Sequence, residues 1–274
     1  MKSMKKLVLA GLVLLASVVV FVGCKNDSVP ESTPVTETVQ EIPYLTFSAT
    51  AEQTMTISTS GTYTLHESLE YSVNKGDWKQ LVAGTPITFG GENGDLRMRG
   101  KSAGGTSTDI ENFSTVSFGN SDVMVSCTGD IRTLVDWEAH TTASTSQARF
   151  PWLFYECSSL ISAPALPATT LAYYCYSGMF SGCTSLTTAP ALLATTLAEG
   201  CYNGMFDGCT SLNSVTMLAT DISATGCLAY WLRYVAATGT FTKAEGLAQG
   251  DGEGQIPDGT DGIPSGWTVK NHGE

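Results

Sequence analysis

The chain has 274 residues, 42% of them hydrophobic and only 15% charged, with 28 glycines and eight cysteines. That length supports a core that folds without a metal or disulfide staple, which excludes the small stapled scaffolds. A formal net charge of -12, from 14 Lys+Arg against 26 Asp+Glu, excludes nucleic acid as a default partner and disfavours anionic membrane surfaces, because both need clustered cations.

Residues 1–23 read as a secretory signal. Lys2, Lys5 and Lys6 precede the uninterrupted apolar run Leu7 to Gly23, and Cys24 with polar sequence follows. The run is just short of a membrane-spanning helix, so a cleaved signal is expected ahead of a retained anchor. Phe21-Val22-Gly23-Cys24 resembles a bacterial lipobox, which implies lipidation of Cys24 and anchoring in the cell envelope. An ordinary cleaved signal is the alternative. Cleavage after Gly23 leaves 11 Lys+Arg against 26 Asp+Glu, a net charge of -15. Residues 24–43, rich in Pro, Ser, Thr and Glu, carry little to bury and read as a disordered tether.

From 44 to 143 the pattern is alternation broken by turn residues. Strands are expected at Tyr44–Ala49, Thr54–Thr59, Thr62–His66, Leu69–Val73, Asp77–Leu81, Pro86–Phe89, Leu96–Gly100, Thr115–Phe118 and Val123–Cys127. Asn74-Lys75-Gly76 marks a short hairpin. Short strands with almost no helical periodicity argue for a β-sandwich-like domain. Trp78 is read as part of the sandwich core, with sugar binding as the alternative.

The second half is self-similar. Thr170–Leu186, TLAYYCYSGMFSGCTSL, returns 26 residues later as Thr196–Leu212, TLAEGCYNGMFDGCTSL. A degenerate copy precedes it at Trp152–Leu160, and the pattern fades after Gly226. A fixed period in this range, with Leu, Phe and Cys at constant offsets, predicts a short leucine-rich-repeat solenoid over 144–235 with short helical turns, closed by a C-terminal cap and tail over 236–274. The fold expected is therefore mainly β.

Six cysteines fall on two rows of the repeat, Cys157/Cys183/Cys209 and Cys175/Cys201/Cys227, while Cys127 lies in the preceding region. Their lock to the Phe and Leu offsets marks them as inward structural positions. Buried free thiols, row disulfides and metal ligands remain the alternatives, in that order, with no CxxC or Cys/His zinc spacing present.

The run Leu166-Pro167-Ala168-Thr169-Thr170-Leu171 before Tyr174 to Leu186, with Gly239-Thr240-Phe241-Thr242-Lys243 and Gly262-Ile263-Pro264-Ser265-Gly266-Trp267 near the end, resembles the BspA-like leucine-rich-repeat surface proteins of anaerobic bacteria and spirochaetes. The resemblance covers roughly 152–267. It implies a surface-exposed lipoprotein of the outer membrane that adheres to host or microbial surface proteins or glycans. This chain carries about three repeats where the family often has many more.

Between Phe150 and Leu228 there is no Lys or Arg, so recognition by the repeats must rest on hydroxyls, backbone and tyrosines. Thr169, Thr170, Thr195 and Thr196 are expected to align in rows, as are Tyr176 and Tyr202. The last pair forms either a binding row or the edge of the core, and Tyr173 and Tyr174 are the better candidates for exposure. No catalytic motif surrounds His66, His140 or His272, and the pair Asp136/His140 reads as solvated. The loop from Asp251 through Asp258 and Asp261 offers oxygen ligands but lacks the Gly and Glu of a calcium loop. Neither an enzyme nor a cofactor is expected. A surface glycan-binding protein and a purely structural envelope protein are the alternative functions.

Overall fold

In the computed structural model, residues 41–250 and 254–274 are described. The signal segment, Cys24 and the tether up to residue 40 lie outside them, as do Asp251 and Glu253 of the acidic loop. The described chain is mainly β, its helix limited to three short 3-10 turns.

Strands β1 (Leu45–Ala49), β2 (Gln53–Thr59), β3 (Glu70–Val73), β4 (Lys79–Gln80), β5 (Ile87–Phe89), β6 (Leu96–Arg99), β7 (Ser114–Phe118) and β8 (Val125–Thr128) build the N-terminal half. Their alternation decides which side faces inward. In β2, Gln53, Met55 and Ile57 are buried, and in β6 Leu96 and Met98 are buried while Arg97 and Arg99 look outward. A six-stranded sheet has the order β4-β3-β6-β1-β8-β9, where β9 is Leu160–Ser162, and a three-stranded sheet has the order β5-β2-β7. The two meet through Phe47 and Phe118, whose ring centroids are 5.7 Å apart in an edge-on arrangement.

The expected hairpin joins β3 to β4. Asn74 and Lys75 both adopt left-handed backbone, φ 50° and 57°, and Gly76 N donates to Val73 O at 2.9 Å. Two consecutive positive φ values give the turn whose twist matches the flanking strands. Thr62–His66, expected as a strand, is not one. Thr62 N and Oγ1 both donate to Asn112 Oδ1, at 2.7 and 2.9 Å, which ties this segment to a loop and leaves no strand beside it.

The repeats form successive layers of tight turns, at residues 151–156, 173–182, 199–208 and 225–234. The short helical turns expected here are absent, for a backbone reason. Tyr174, Gly178 and Gly182 in the second layer all have positive φ, as do Gly200, Gly204 and Gly208 in the third, and a right-handed helix cannot continue through such residues. Alternate N–H groups close turns within the layer, such as Met179 N to Tyr176 O at 3.2 Å and Ser181 N to Gly178 O at 3.0 Å. The others donate to the next layer. Tyr176 N reaches Cys201 O at 3.0 Å, Gly178 N reaches Asn203 O at 2.8 Å and Phe180 N reaches Met205 O at 2.9 Å. Every N–H of the run therefore has a partner, which a buried backbone requires.

Glycine is needed where a layer lies against a ring. A Cβ on Gly178 would stand 2.0 Å from Trp152 Cζ3, and one on Gly200 would stand 2.3 Å from Tyr174 Cε1. Inside, the 26-residue offset becomes columns of near-parallel rings. Phe154, Phe180 and Phe206 lie 5.4 and 5.7 Å apart, and Phe150, Tyr176 and Tyr202 lie 6.1 and 6.2 Å apart. Each fully buried ring of this kind contributes about 2 to 3 kcal/mol of transfer free energy.

Opposite the turns runs a parallel side. β8 pairs with β9, and β10 (Ser214–Met217), β11 (Gly239–Lys243) and β12 (Trp267–Asn271) form a parallel three-stranded sheet. Val215 faces Phe241, an offset of 26, and Phe241 faces Val269, an offset of 28. The segments quoted above near the C-terminus thus supply β11 and the approach to β12, and the stacking persists to Asn271.

The two halves share one apolar core running from Leu45 to Trp267, and Glu41–Glu274 cluster as one compact unit. Strand β7 acts as the layer before the first. Val116 N donates to Leu153 O at 2.7 Å, and Cys157 Sγ lies 3.1 Å from Val116 O, as Cys183 Sγ lies 3.0 Å from Phe154 O and Cys209 Sγ 3.0 Å from Phe180 O.

Candidate binding surface

The chain enters the second and third layers of turns through a Thr-Thr-Leu segment, and this places Thr169, Thr170, Thr195 and Thr196 at the surface, all exposed. Their backbone is used and their hydroxyls are not. Thr145 Oγ1 donates to Thr170 O at 2.6 Å, and Thr220 N and Asp221 N donate to Thr195 O at 2.8 and 3.0 Å. Among the described residues, no hydrogen bond holds the Oγ1 groups of the four threonines. Thr169 and Thr170 also border a shallow depression with Thr141, Thr142 and Ser144, where Arg132 is neutralised by Asp130 at 2.7 Å.

Tyr173 is 47% exposed and its ring meets that of half-buried Tyr174 edge-on at 4.3 Å. Tyr174 has φ 51° and its ring covers Gly200, while Arg149 Nε donates to Tyr173 O at 3.2 Å. Tyr176 and Tyr202 must be removed from the candidate surface. They are 3% and 1% exposed, because the turn geometry aims this offset into the column that begins at Phe150.

All seven cysteines among the described residues are buried and unpaired. Burial pushes the thiols of Cys157, Cys201 and Cys209 up to about 12, and those of Cys127, Cys175, Cys183 and Cys227 upward as well. An un-ionised, enclosed thiol is neither nucleophile nor metal ligand at neutral pH. No group of three His, Cys, Asp or Glu able to hold a metal occurs among the described residues. Asp136 Oδ1 accepts from Glu138 N and Ala139 N, at 3.1 and 3.3 Å, and so closes a turn; His66 Nδ1 lies 2.7 Å from Ser68 Oγ.

One cluster escaped the sequence reading. On the outward face of the six-stranded sheet, Arg99 lies between Trp78 and Trp137, 4.1 and 4.2 Å from the ring centroids, and pairs with Glu70 at 2.8 Å. Arg97 lies over Trp78 and Tyr44, and Lys101 approaches Trp137 and pairs with Glu138. Trp78 is therefore neither a core residue nor an open platform, since guanidinium groups cover its face. Arg97 and Arg99 alternate on β6 and Lys101 follows it, a pattern that shows three cations at two-residue spacing but not the rings they meet.

No family model, curated protein or solved structure matches this chain. Among the described residues no helix is long and apolar enough to cross a membrane.

Proposed function

We propose that this protein is a lipid-anchored surface protein of the bacterial outer membrane, acting as an adhesion or protein-protein interaction module. On this reading an N-terminal β-sandwich caps a short leucine-rich-repeat solenoid of BspA-like type, Cys24 carries the lipid, and the chain is a binder with no catalytic role. The observation that carries it is the repeat surface without Lys or Arg between Phe150 and Leu228, which exposes four threonines whose hydroxyls make no hydrogen bond among the described residues, together with Tyr173. Such a face recognises partners by shape and hydrogen bonding at short range, with little electrostatic steering. Stacked layers with a continuous core support a rigid display of these groups.

Protease added to intact cells tests the reading. Degradation of the protein is expected without permeabilisation, and complete protection until the cells are permeabilised would overturn surface display. The alternative of glycan binding through Trp78 has less support, because that ring is engaged by Arg97 and Arg99.

A further inference from the structure

Within the turn layers the backbone hydrogen bonds from one layer to the next all run one way. In each layer alternate N–H groups donate to carbonyls of the layer that follows. Trp152, Phe154 and Glu156 donate to Ser177, Met179 and Ser181; Gly178, Phe180 and Gly182 donate to Asn203, Met205 and Asp207; Gly204, Phe206 and Gly208 donate to Ala229, Trp231 and Arg233. The corresponding groups of the last layer are the N–H of Tyr230, Leu232 and Tyr234. These have no hydrogen bond among the described residues. The other end is closed, because β7 supplies the layer before the first and is itself paired with β2.

Other features mark the open end. A cleft of about 640 Å³ separates Leu228, Ala229 and Tyr230 from the loop that carries Pro257 to Asp261. Tyr230 and Tyr234 are exposed, at 47% and 65%. Arg233 beside them is neutralised by Asp207, with Nε to Oδ1 at 3.0 Å, whereas Asp258 and Asp261 on the far wall are exposed.

We infer that this end is a docking edge for a peptide segment of another protein, carrying Lys or Arg, which adds as the next layer. Donors two residues apart demand acceptors at the same interval. Alternate carbonyls of a polypeptide supply acceptors at that two-residue interval, as those of Ser177, Met179 and Ser181 do inside the stack. A glycan offers no such row. A second copy cannot continue the stack, because its own first layer is covered by β7. Basic side chains of the peptide would meet Asp258 and Asp261, while its apolar parts would pack beside Tyr230 and Tyr234, over whose rings Arg233 already lies at 4.7 and 5.4 Å. This edge is separate from the threonine face, and its use does not depend on where the protein resides.

The test selects a phage-displayed library of linear peptides on the full chain and then reads amide hydrogen exchange with and without the best peptide. In the free protein the amides of Tyr230, Leu232 and Tyr234 are expected to exchange at least about a hundredfold faster than those of Gly204, Phe206 and Gly208, and the peptide is expected to slow them. Tyr230→Gly keeps the backbone shape of its equivalents Gly178 and Gly204, so it should fold and weaken the peptide about tenfold through loss of the ring. Slow exchange at these three amides in the free protein, failure to enrich any peptide, or protection confined to another face would each overturn the proposal, as would protection of the same amides by neutral glycans alone.

Discussion

Cys157, Cys201 and Cys209 hold their protons to about pH 12 in the folded chain, because burial disfavours the thiolate. In the unfolded chain an ordinary cysteine ionises near 8.5. Below that value both states are protonated and the native state keeps its full stability. As pH rises further the unfolded state releases protons that the native state retains, so stability falls until the folded thiols ionise. Buried Tyr176 and Tyr202, shifted the same way by desolvation, add to the loss at higher pH. The urea midpoint is expected to fall between about pH 8.5 and pH 11, by up to about 1.4 kcal/mol per pH unit for each thiol. Cys209→Ala should show a shallower fall than the parent. An identical slope would mean that this thiol titrates alike in both states.

At the level of the element, the turn layers depend on left-handed residues at regular positions, but the equivalents do not carry equal loads. Gly178 has φ 60° and Trp152 packed where its side chain would be, whereas Gly204 has φ 56° and nothing within 4 Å. Gly204→Ala should cost only the backbone strain, about 1 to 2 kcal/mol. Gly178→Ala adds a collision with a ring that is itself packed, and should cost about 3 kcal/mol or more. Equal losses in urea denaturation would show that the contact with Trp152 is not what the glycine serves. The same geometry explains what the sequence could reveal. A 26-residue period identifies equivalent positions, so the cysteine and phenylalanine rows were legible. It does not say which way a position points, and so Tyr176 and Tyr202 could not be placed until the backbone at Tyr174, Gly178 and Gly182 was known. Strand alternation revealed most of the N-terminal strands but not Thr62–His66, whose pattern alternates without a neighbour to pair with. The outward cluster of Trp78, Arg99 and Trp137 joins residues far apart in the chain, which no local pattern discloses.

Over the whole molecule, the two halves are joined by more than sequence. Val116 on β7 packs as the layer before Leu153 and Phe154, β8 pairs with β9, and Phe47 of β1 touches both Phe118 and Phe154. Spacing hides this junction, because Val116 precedes Cys157 by 41 residues where the equivalent contacts within the repeats span 29. With so many hydrogen bonds and rings shared, the described chain should unfold in one calorimetric transition whose calorimetric and van't Hoff enthalpies agree. Two separated transitions, one retaining the signal of the stacked rings, would show that the repeats stand without β7 and β8.

The one-way sense of the backbone bonds between turn layers also bears on how the molecule comes into being. Synthesis proceeds from the N-terminus, so β7 and β8 are made before any repeat and form a floor on which the first layer can settle. Each later segment of 26 residues then arrives to find a row of donors already aligned by its predecessor, and its own carbonyls complete them. The nascent protein grows as courses of brick are laid, with only its newest course unfinished at any moment, so that insertion or loss of a whole 26-residue unit leaves every remaining course a fitting neighbour.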